Sequence, residues 1–288
     1  MKVAFASGKG GTGKTLFATN LAYRAAGKGL AAAYVDVDVE APNGHLFLVP
    51  SDTSSTRLSV EVPFLKTETC SGCGECQKFC AYNAIVALRD TVMLFPELCH
   101  SCRGCMRVCP EGALAMKKRE IGSISRGFRD ALAVYTGTLD VGEARAVPLI
   151  EGVLESVEHT ELVIIDAPPG TSCSAMASVD TADLVVLVTE PTPFGLHDLT
   201  LAVEMCRALG KNVSAVINRS DLGDRGVFEY LEREGIETLA AVPFDKSIAE
   251  AYAAGKLAYE NSSELANALQ SVEDWIIKSM PAGKEIAS

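Results

Sequence analysis

The chain has 288 residues, of which 48% are hydrophobic and 22% charged, a composition typical of a folded globular protein and not of a disordered one. Its formal net charge of -11 makes nucleic acid and anionic membranes poor partners, because both would repel it. The apolar stretch at the amino terminus is too short for a signal peptide, and no run approaches the ~20 residues of a membrane span. We therefore expect a cytoplasmic protein without membrane insertion.

Short apolar runs recur along the chain and predict buried β-strands. They lie at residues 2–6, 31–35, 162–165, 184–188, 213–217 and 239–242. Helix-length segments separate the runs, beginning with residues 14–26. This alternation predicts an α/β fold, a mostly parallel sheet with helices on both faces, in which ligands bind at the carboxyl ends of the strands.

A glycine-rich motif follows the first predicted strand. It fits the pattern G-x-x-x-x-G-K-T with Gly8, Lys9, Gly10, Gly11, Thr12, Gly13, Lys14 and Thr15. Between a strand and a helix, such a loop wraps phosphates with backbone N–H groups, while Lys14 offsets phosphate charge and the Thr15 hydroxyl binds Mg²⁺. The alternative, a plain strand-to-helix turn, leaves Lys14 and Thr15 unexplained.

Lys9 gives this motif the form K-G-G-x-G-K-T. That form resembles the deviant Walker A motif of the MinD/ParA superfamily of P-loop ATPases, which includes the nitrogenase iron protein and the Mrp-type carriers. The resemblance implies that ATP and ADP are the nucleotides and that Lys9 and Lys14 are catalytic. It also implies a nucleotide-dependent homodimer, or a heterodimer with a similar ATPase, in which Lys9 reaches the partner's nucleotide. A solvated loop lysine is the alternative for Lys9.

Two acidic segments after predicted strands resemble the switch regions of that superfamily. Residues 36–43, DVDVEAPN, are similar to switch I, and residues 166–170, DAPPG, to the D-x-P-x-G switch II. Phosphoryl transfer needs carboxylates to orient water and to hold the metal shell. We assign Asp38 to the attacking water, and Asp36 and Asp166 to Mg²⁺, directly or through water, with Asp166 also catalytic. The alternative for Asp166 is a strand terminator or helix cap.

Two later strand ends resemble the base-binding positions of the same superfamily. Asn218 and Arg219 follow one strand, and Pro243 and Asp245 follow another. The resemblance implies that these four residues contact the adenine. Asn218 alone would be an ordinary turn former, so the prediction depends on the order of the motifs.

Eight of the ten cysteines lie in two runs. The runs are Cys70, Cys73, Cys76, Cys80 and Cys99, Cys102, Cys105, Cys109. Both have the bacterial ferredoxin spacing C-x2-C-x2-C-x3-C, in which the fourth cysteine ligates the other run's cluster. We therefore predict one 4Fe-4S cluster on Cys70, Cys73, Cys76 and Cys109, and a second on Cys80, Cys99, Cys102 and Cys105. Structural zinc is the alternative.

These runs divide the chain into three predicted parts. An α+β domain like a bacterial ferredoxin is expected at 66–117, inserted into an ATPase domain formed by 1–65 and 118–288. Ala81 stands where the ferredoxin motif has proline, so the clusters are expected to differ in potential.

The remaining cysteines are Cys173 and Cys206. Cys173 lies seven residues beyond Asp166, an offset at which the nitrogenase iron protein has a cluster ligand, and an inert small residue is an equally good interpretation. We expect Cys206 to belong to the core.

Together these features predict an ATP-hydrolysing iron–sulfur protein. Its nucleotide state would gate electron transfer, or cluster delivery, to a redox or iron–sulfur acceptor protein. The alternatives are a cluster carrier or assembly ATPase of the Mrp type, a MinD/ParA-like positioning ATPase with a redox-sensing ferredoxin module, and, more weakly, an amide-forming synthetase.

Overall fold

The computed structural model describes residues 1–66 and 69–280. The strands, in chain order, are β1 (Lys2–Ala6), β2 (Ala32–Asp36), β3 (Ser51–Leu65), β4 (Ile85–Ala87), β5 (Val92–Leu94), β6 (Leu114–Arg129), β7 (Leu132–Leu139), β8 (Leu162–Asp166), β9 (Leu184–Thr189), β10 (Val213–Asn218) and β11 (Glu237–Val242). The α-helices are α1 (Lys14–Gly27), α2 (Gly44–Leu48), α3 (Glu75–Phe79), α4 (Gly104–Arg107), α5 (Val147–Ser156), α6 (Cys173–Asp180), α7 (Pro193–Ala208), α8 (Gly226–Arg233), α9 (Lys246–Ala253) and α10 (Ser263–Ser279).

Within the described residues, nine strands form one sheet in the order β11-β10-β9-β1-β8-β2-β7-β6-β3. From β11 to β7 all neighbours are parallel, whereas β6 and β3 are antiparallel to the strands beside them. The register of β2 on β8 places Asp36 opposite Asp166. The mostly parallel sheet predicted from the apolar runs is confirmed.

Helices cover both faces of this sheet, and the strands are apolar on both sides because each face contacts a helical layer. Along β8, Ile165 packs in the layer with α5 to α8, and Ile164 packs in the layer with α1, α9 and α10. Residues buried on the second layer include Phe17 of α1 and Leu269 of α10. Among the helices of the described residues, none is both long and apolar enough to span a bilayer.

A long antiparallel ribbon extends the sheet at one edge. It consists of β3 and β6, which pair from Ser51 with Phe128 to Leu65 with Leu114. The ribbon was missed from the sequence because residues 51–57 are exposed and rich in serine and threonine, without the apolar alternation that marks a half-buried strand. The ribbon leads from the parallel sheet directly into the cysteine segment.

The cysteine segment between β3 and β6 contains α3, β4, β5, a 3-10 helix at Pro96–Leu98 and α4. Strands β4 and β5 pair antiparallel, and Ile85 and Leu114 are buried against Cys76 and Cys105. The ribbon crosses the second predicted border of the insertion, since β6 runs from 114 to 129, whereas β3 ends at the first border, at Leu65. The predicted parts 66–117 and 118–288 include residues 67–68 and 281–288, which lie outside the described residues. The domain boundaries stay a prediction.

Candidate functional site

The glycine-rich loop joins β1 to α1 in a shape that requires glycine at particular positions. Gly11 and Gly13 have φ of +81° and +105°, which side chains rarely adopt. A Cβ on Gly8 would lie 2.0 Å from the backbone oxygen of Asp198. The loop therefore packs directly against α7 while its other side faces a cavity.

Lys14 lies beneath the loop and is 7% exposed. Its ammonium donates a hydrogen bond to the Ser7 hydroxyl (2.9 Å). Burial lowers the pKa of Lys14, and the carboxylates of Asp166 and Asp38 partly offset this by favouring its charged form. A buried cation whose hydrogen-bond partner among residues 1–66 and 69–280 is one hydroxyl is well suited to donate to a phosphate.

Asp166 ends β8 beside the start of α1 and is fully buried. Its Oδ2 accepts a hydrogen bond from the Tyr34 hydroxyl (2.9 Å), while its Oδ1 is buried without a partner among the described residues. Burial raises the pKa of Asp166 to about 6, and the nearby Thr15 hydroxyl and Lys14 ammonium act in the opposite direction. A buried carboxylate oxygen without a donor, next to a threonine hydroxyl, fits a Mg²⁺ ion or its bound water.

Asp36 has a different environment from the one expected of a metal ligand. Its carboxylate accepts backbone hydrogen bonds from Asp38 (3.2 Å), Asn43 (3.0 Å) and Gly44 (2.8 Å). Burial and the neighbouring charge of Asp166 raise the pKa of Asp36 to about 8. The side chain holds the 38–44 segment in place and does not line the main cavity, so its assignment to the Mg²⁺ shell stays a prediction.

A cavity of about 500 Å³ lies at the carboxyl ends of the strands. Ten residues predicted for nucleotide binding or catalysis line it, namely Gly10, Gly11, Gly13, Lys14, Thr15, Asp38, Asn218, Arg219, Pro243 and Asp245. The cavity is also lined by Ala41 and Asn43 of the segment similar to switch I and by Phe244 of the predicted base loop, and by Ile248 and Tyr252, which were not predicted from the sequence. Asp38 is half-buried, and burial raises the pKa of its carboxyl while Lys14 lowers it.

The residues expected at the adenine have structural partners of their own. Asn218 donates from Nδ2 to the Thr12 carbonyl (2.9 Å), and Asp245 caps α9 by accepting from the Ser247 N–H (2.8 Å). Phe244 and Tyr252 line this cavity and are 49% and 38% exposed. Two partly exposed aromatic rings offer stacking surfaces for a base, and the order of the motifs alone pointed to that wall.

Lys9 does not line the main cavity. Its ammonium lies 3.7 Å from Glu190, which also pairs with Arg219. Gly8, Lys9 and Thr12 line a small separate cleft beside α7. Sequence reasoning missed Glu190, although it follows β9 directly, as the other polar site residues follow their strands.

The eight clustered cysteines line two cavities, and each cavity contains four of them. One is lined by Cys70, Cys73, Cys76 and Cys109, and the other by Cys80, Cys99, Cys102 and Cys105. Each cavity therefore takes three cysteines from one run and the fourth from the other run. These are the same two groups that the ferredoxin spacing paired; their role as ligands stays a prediction.

The donor chemistry of these cavities fits four-thiolate clusters. Backbone N–H groups of Ser101 and Ala113 donate to the sulfurs of Cys99 (3.4 Å) and Cys109 (3.3 Å), the kind of contact that tunes cluster potential. Across residues 1–66 and 69–280, no three His, Cys, Asp or Glu side chains are close enough together to hold one metal ion. The assignment therefore depends on the two cavities and their sulfur content.

The two isolated cysteines differ in environment. Cys173 is the first residue of α6 and is exposed, whereas Cys206 on α7 is fully buried, and burial raises its pKa to about 11. The core position expected for Cys206 agrees with its burial. A cluster role for Cys173 stays a prediction.

Residues 3–258 match the family model described as CbiA: CobQ/CobB/MinD/ParA nucleotide binding domain. An uncharacterized protein of Methanocaldococcus jannaschii is 27% identical, covering 96% of this chain and 98% of that protein. The iron-sulfur cluster carrier protein of Pyrococcus abyssi is 25% identical, covering 87% and 76%. The septum site-determining protein MinD of Pyrococcus horikoshii, complexed with Mg-ADP, shares the fold with a TM-score of 0.58 at 18% identity, covering 97% and 99%. This chain belongs to the CobQ/CobB/MinD/ParA nucleotide-binding family.

Proposed function

We propose that this chain is a Mg²⁺-dependent ATPase carrying two 4Fe-4S clusters, whose nucleotide state gates electron transfer or cluster delivery to a partner protein. One observation carries the proposal: a single chain joins a P-loop cavity to two cavities of four cysteines each. The partners proposed are a second copy of the chain or a similar ATPase, and a redox or iron–sulfur acceptor.

The residues of the main cavity, together with Asp166, which precedes the lining residue Ala167, divide the work of phosphoryl transfer. Backbone N–H groups of the 8–15 loop and the Lys14 ammonium hold the phosphates, while Asp38 orients the attacking water at the open side of the cavity. Thr15 and Asp166 would hold Mg²⁺, which when bound neutralises charge on the phosphate oxygens. The unpartnered Oδ1 of Asp166 supports that assignment.

The cysteine cavities supply one-electron chemistry when they hold clusters. Each cavity has one exposed edge at which a partner protein could approach a bound cluster. Cys73 and Cys102, one in each cavity, are exposed, while Cys76 and Cys105 are buried. An exposed edge shortens the path for an electron and also gives an acceptor thiol access to the cluster.

Cluster delivery is a second candidate because of one comparison. A relative that matches over 87% of this chain is named an iron-sulfur cluster carrier protein. In that role the clusters would be cargo and not resident electron carriers, and nucleotide would control their release.

A redox titration followed by EPR, together with an iron-transfer assay to an apo-ferredoxin, tests the proposal. Electron gating predicts that MgATP shifts the potential of at least one cluster while iron is retained, whereas delivery predicts nucleotide-dependent loss of iron to the acceptor. Lys14→Met, which removes the phosphate-binding ammonium, should abolish either response. If neither the potential nor the iron content responds to MgATP, the proposal is wrong, and a MinD/ParA-like positioning ATPase becomes the better interpretation.

A further inference from the structure

A buried ion pair lies in the loop 140–146, between β7 and α5. Glu143 and Arg145 are 8% and 9% exposed. Glu143 Oε1 accepts hydrogen bonds from the backbone N–H of Arg145 (3.0 Å) and from its Nε (2.8 Å). Arg119 of β6 binds the other carboxylate oxygen. The three side chains form a network that fixes the loop to the ribbon.

This network reaches the cysteine segment at two points, and one of them is Arg119, which lies 3.9 Å from the exposed Glu97 carboxylate. Nη1 of Arg145 donates a hydrogen bond to the carbonyl oxygen of Cys99, which lines the second cysteine cavity. A buried guanidinium that carries both an ion pair and this carbonyl cannot move without carrying or breaking both. The position of Cys99 is thus tied to a loop outside the cysteine segment.

The strand that feeds this loop is tied to the wall of the main cavity. The backbone N–H of Leu139, the last residue of β7, donates to the carbonyl oxygen of Val39 (2.8 Å). Val39 follows Asp38, which lines the cavity, and Val39 is 2% exposed. A Cβ on Gly137 of β7 would lie 2.6 Å from its side chain. The 38–43 segment therefore has little room to move independently of β7.

The two cysteine cavities differ in their charged lining residues and in their contact with the Arg145 network. The cavity of Cys80, Cys99, Cys102 and Cys105 is lined by Arg103 and His100 and touches the Arg145 network through Cys99. The cavity of Cys70, Cys73, Cys76 and Cys109 is lined by Glu111 and by no arginine, lysine or histidine among the described residues. A motion transmitted through the loop 140–146 would therefore reach the cavity of Cys80, Cys99, Cys102 and Cys105 before it reached the other cavity.

We propose that Arg145 is a positioning residue that links the 38–43 segment to the cavity of Cys80, Cys99, Cys102 and Cys105. Nucleotide bound beside Asp38 displaces the 38–43 segment, and β7, Glu143 and Arg145 transmit the displacement to Cys99. Hydrogen bonds connect Val39 to Leu139, Asp140 to Glu143, and Arg145 to both Glu143 and Cys99, and the backbone joins Leu139 to Asp140, so a displacement biased by nucleotide at one end has a path to the other. This inference deepens the proposed function and rests on it, because it requires nucleotide to bind at the 8–15 loop.

Hydrogen–deuterium exchange on the full chain, anaerobic and cluster-loaded, tests this link. Adding ADP or a non-hydrolysable ATP analogue with Mg²⁺ should protect amides of residues 8–15 and also change exchange in residues 97–103. In Arg145→Met the change at 97–103 should be lost while protection at 8–15 remains. Arg103→Met is the matched control. Arg103 lines the same cavity and pairs with Glu61, and among the described residues it forms no hydrogen bond or ion pair with the loop 140–146. It should keep the response.

The potential of the second cluster provides a separate readout. MgATP should shift it in the wild type and in Arg103→Met but not in Arg145→Met, while the first cluster stays unchanged in all three. If Arg145→Met does not fold, the exchange measurement on the wild type can still overturn the proposed link. Protection at 8–15 without any change at 97–103 in the wild type overturns the link and leaves the proposed function intact. Absence of protection at 8–15 overturns the nucleotide site, and the link with it.

Discussion

Cys109 lines the same cavity as Cys70, although the two residues lie at opposite ends of the cysteine segment. The segment is closed by the ribbon, because the Lys66 N–H donates to the Ala113 carbonyl (2.8 Å) and Leu65 pairs with Leu114. Closing the two ends brings the last cysteine of the second run beside the first run. The crossed grouping of thiols is thus a consequence of the antiparallel pairing of β3 and β6.

Because each cavity takes its fourth cysteine from the other run, variants of distant cysteines should lose the same cluster. Cys70→Ala and Cys109→Ala should each abolish the same cluster signal in EPR and remove about four iron atoms. Cys80→Ala should abolish the other signal. Cys206→Ala, which replaces a buried cysteine outside both cavities, is the control and should keep full iron content. Loss of different signals in Cys70→Ala and Cys109→Ala would contradict the grouping.

The parallel part of the fold was predictable from the sequence because its strands carry a local signal. Runs such as 162–165 and 184–188 are apolar on both faces, and their polar ends meet at one edge of the sheet. That geometry is why Lys14, Asp38 and Asn218 line one cavity. The order of the strands and motifs along the chain was therefore enough to predict that these polar residues lie at one site.

Other parts depend on pairings that no local pattern encodes. The ribbon β3 is exposed over 51–57 and is held by long-range hydrogen bonds to β6. The Glu143–Arg145 pair lies in a loop whose partners, Arg119 and Cys99, are distant in the sequence. Tyr252 reaches the main cavity from α9, in a region that has no recognisable motif. Such features need the tertiary structure.

Gly8 and Gly10 should respond differently to substitution by alanine. Gly8→Ala places a Cβ 2.0 Å from the Asp198 backbone, which cannot move cheaply, so we expect a loss of roughly 1–3 kcal/mol of unfolding free energy. Gly10→Ala meets no atom within 4 Å and should stay within about 0.5 kcal/mol. Urea unfolding of the nucleotide-free protein measures both. Equal effects of the two variants would show that Gly8 does not pack as described.

The Glu143 ion pair predicts a pH-dependent contribution to stability. Burial alone would raise the pKa of Glu143, but hydrogen bonds from Arg145 and Arg119 outweigh it and lower the pKa to about 2. A carboxyl with a lowered folded pKa stabilises the fold above its ordinary pKa of 4.5, and that contribution is lost as pH falls toward 2.

Glu143→Gln should therefore lower the unfolding free energy by roughly 3 kcal/mol at pH 7, because Arg145 is left buried and unpaired. The difference from the wild type should shrink between pH 4.5 and about 2 as Glu143 becomes protonated. Urea unfolding across that range measures it. Glu151→Gln, an exposed change on α5, is the control and should parallel the wild type. A difference that is constant with pH would be evidence against the ion pair.

Lys9 is held by Glu190 of its own chain, yet the resemblance to deviant Walker A proteins assigns it to a partner's nucleotide. With Mg²⁺ and a non-hydrolysable ATP analogue we expect a dimer in the wild type and a monomer that still binds nucleotide in Lys9→Met. Glu190→Gln, which releases Lys9, should keep the dimer. Light scattering after gel filtration measures the mass. A wild type that stays monomeric would remove the intersubunit role.

In the proposed function, a nucleotide site and two iron–sulfur clusters communicate within one chain. The decisive experiment is an anaerobic count of iron and acid-labile sulfide, combined with EPR of the dithionite-reduced protein with and without MgATP. We predict about eight of each per chain and a spectrum that MgATP alters. Zinc in place of iron, or two clusters whose spectra do not respond to nucleotide, would contradict the account.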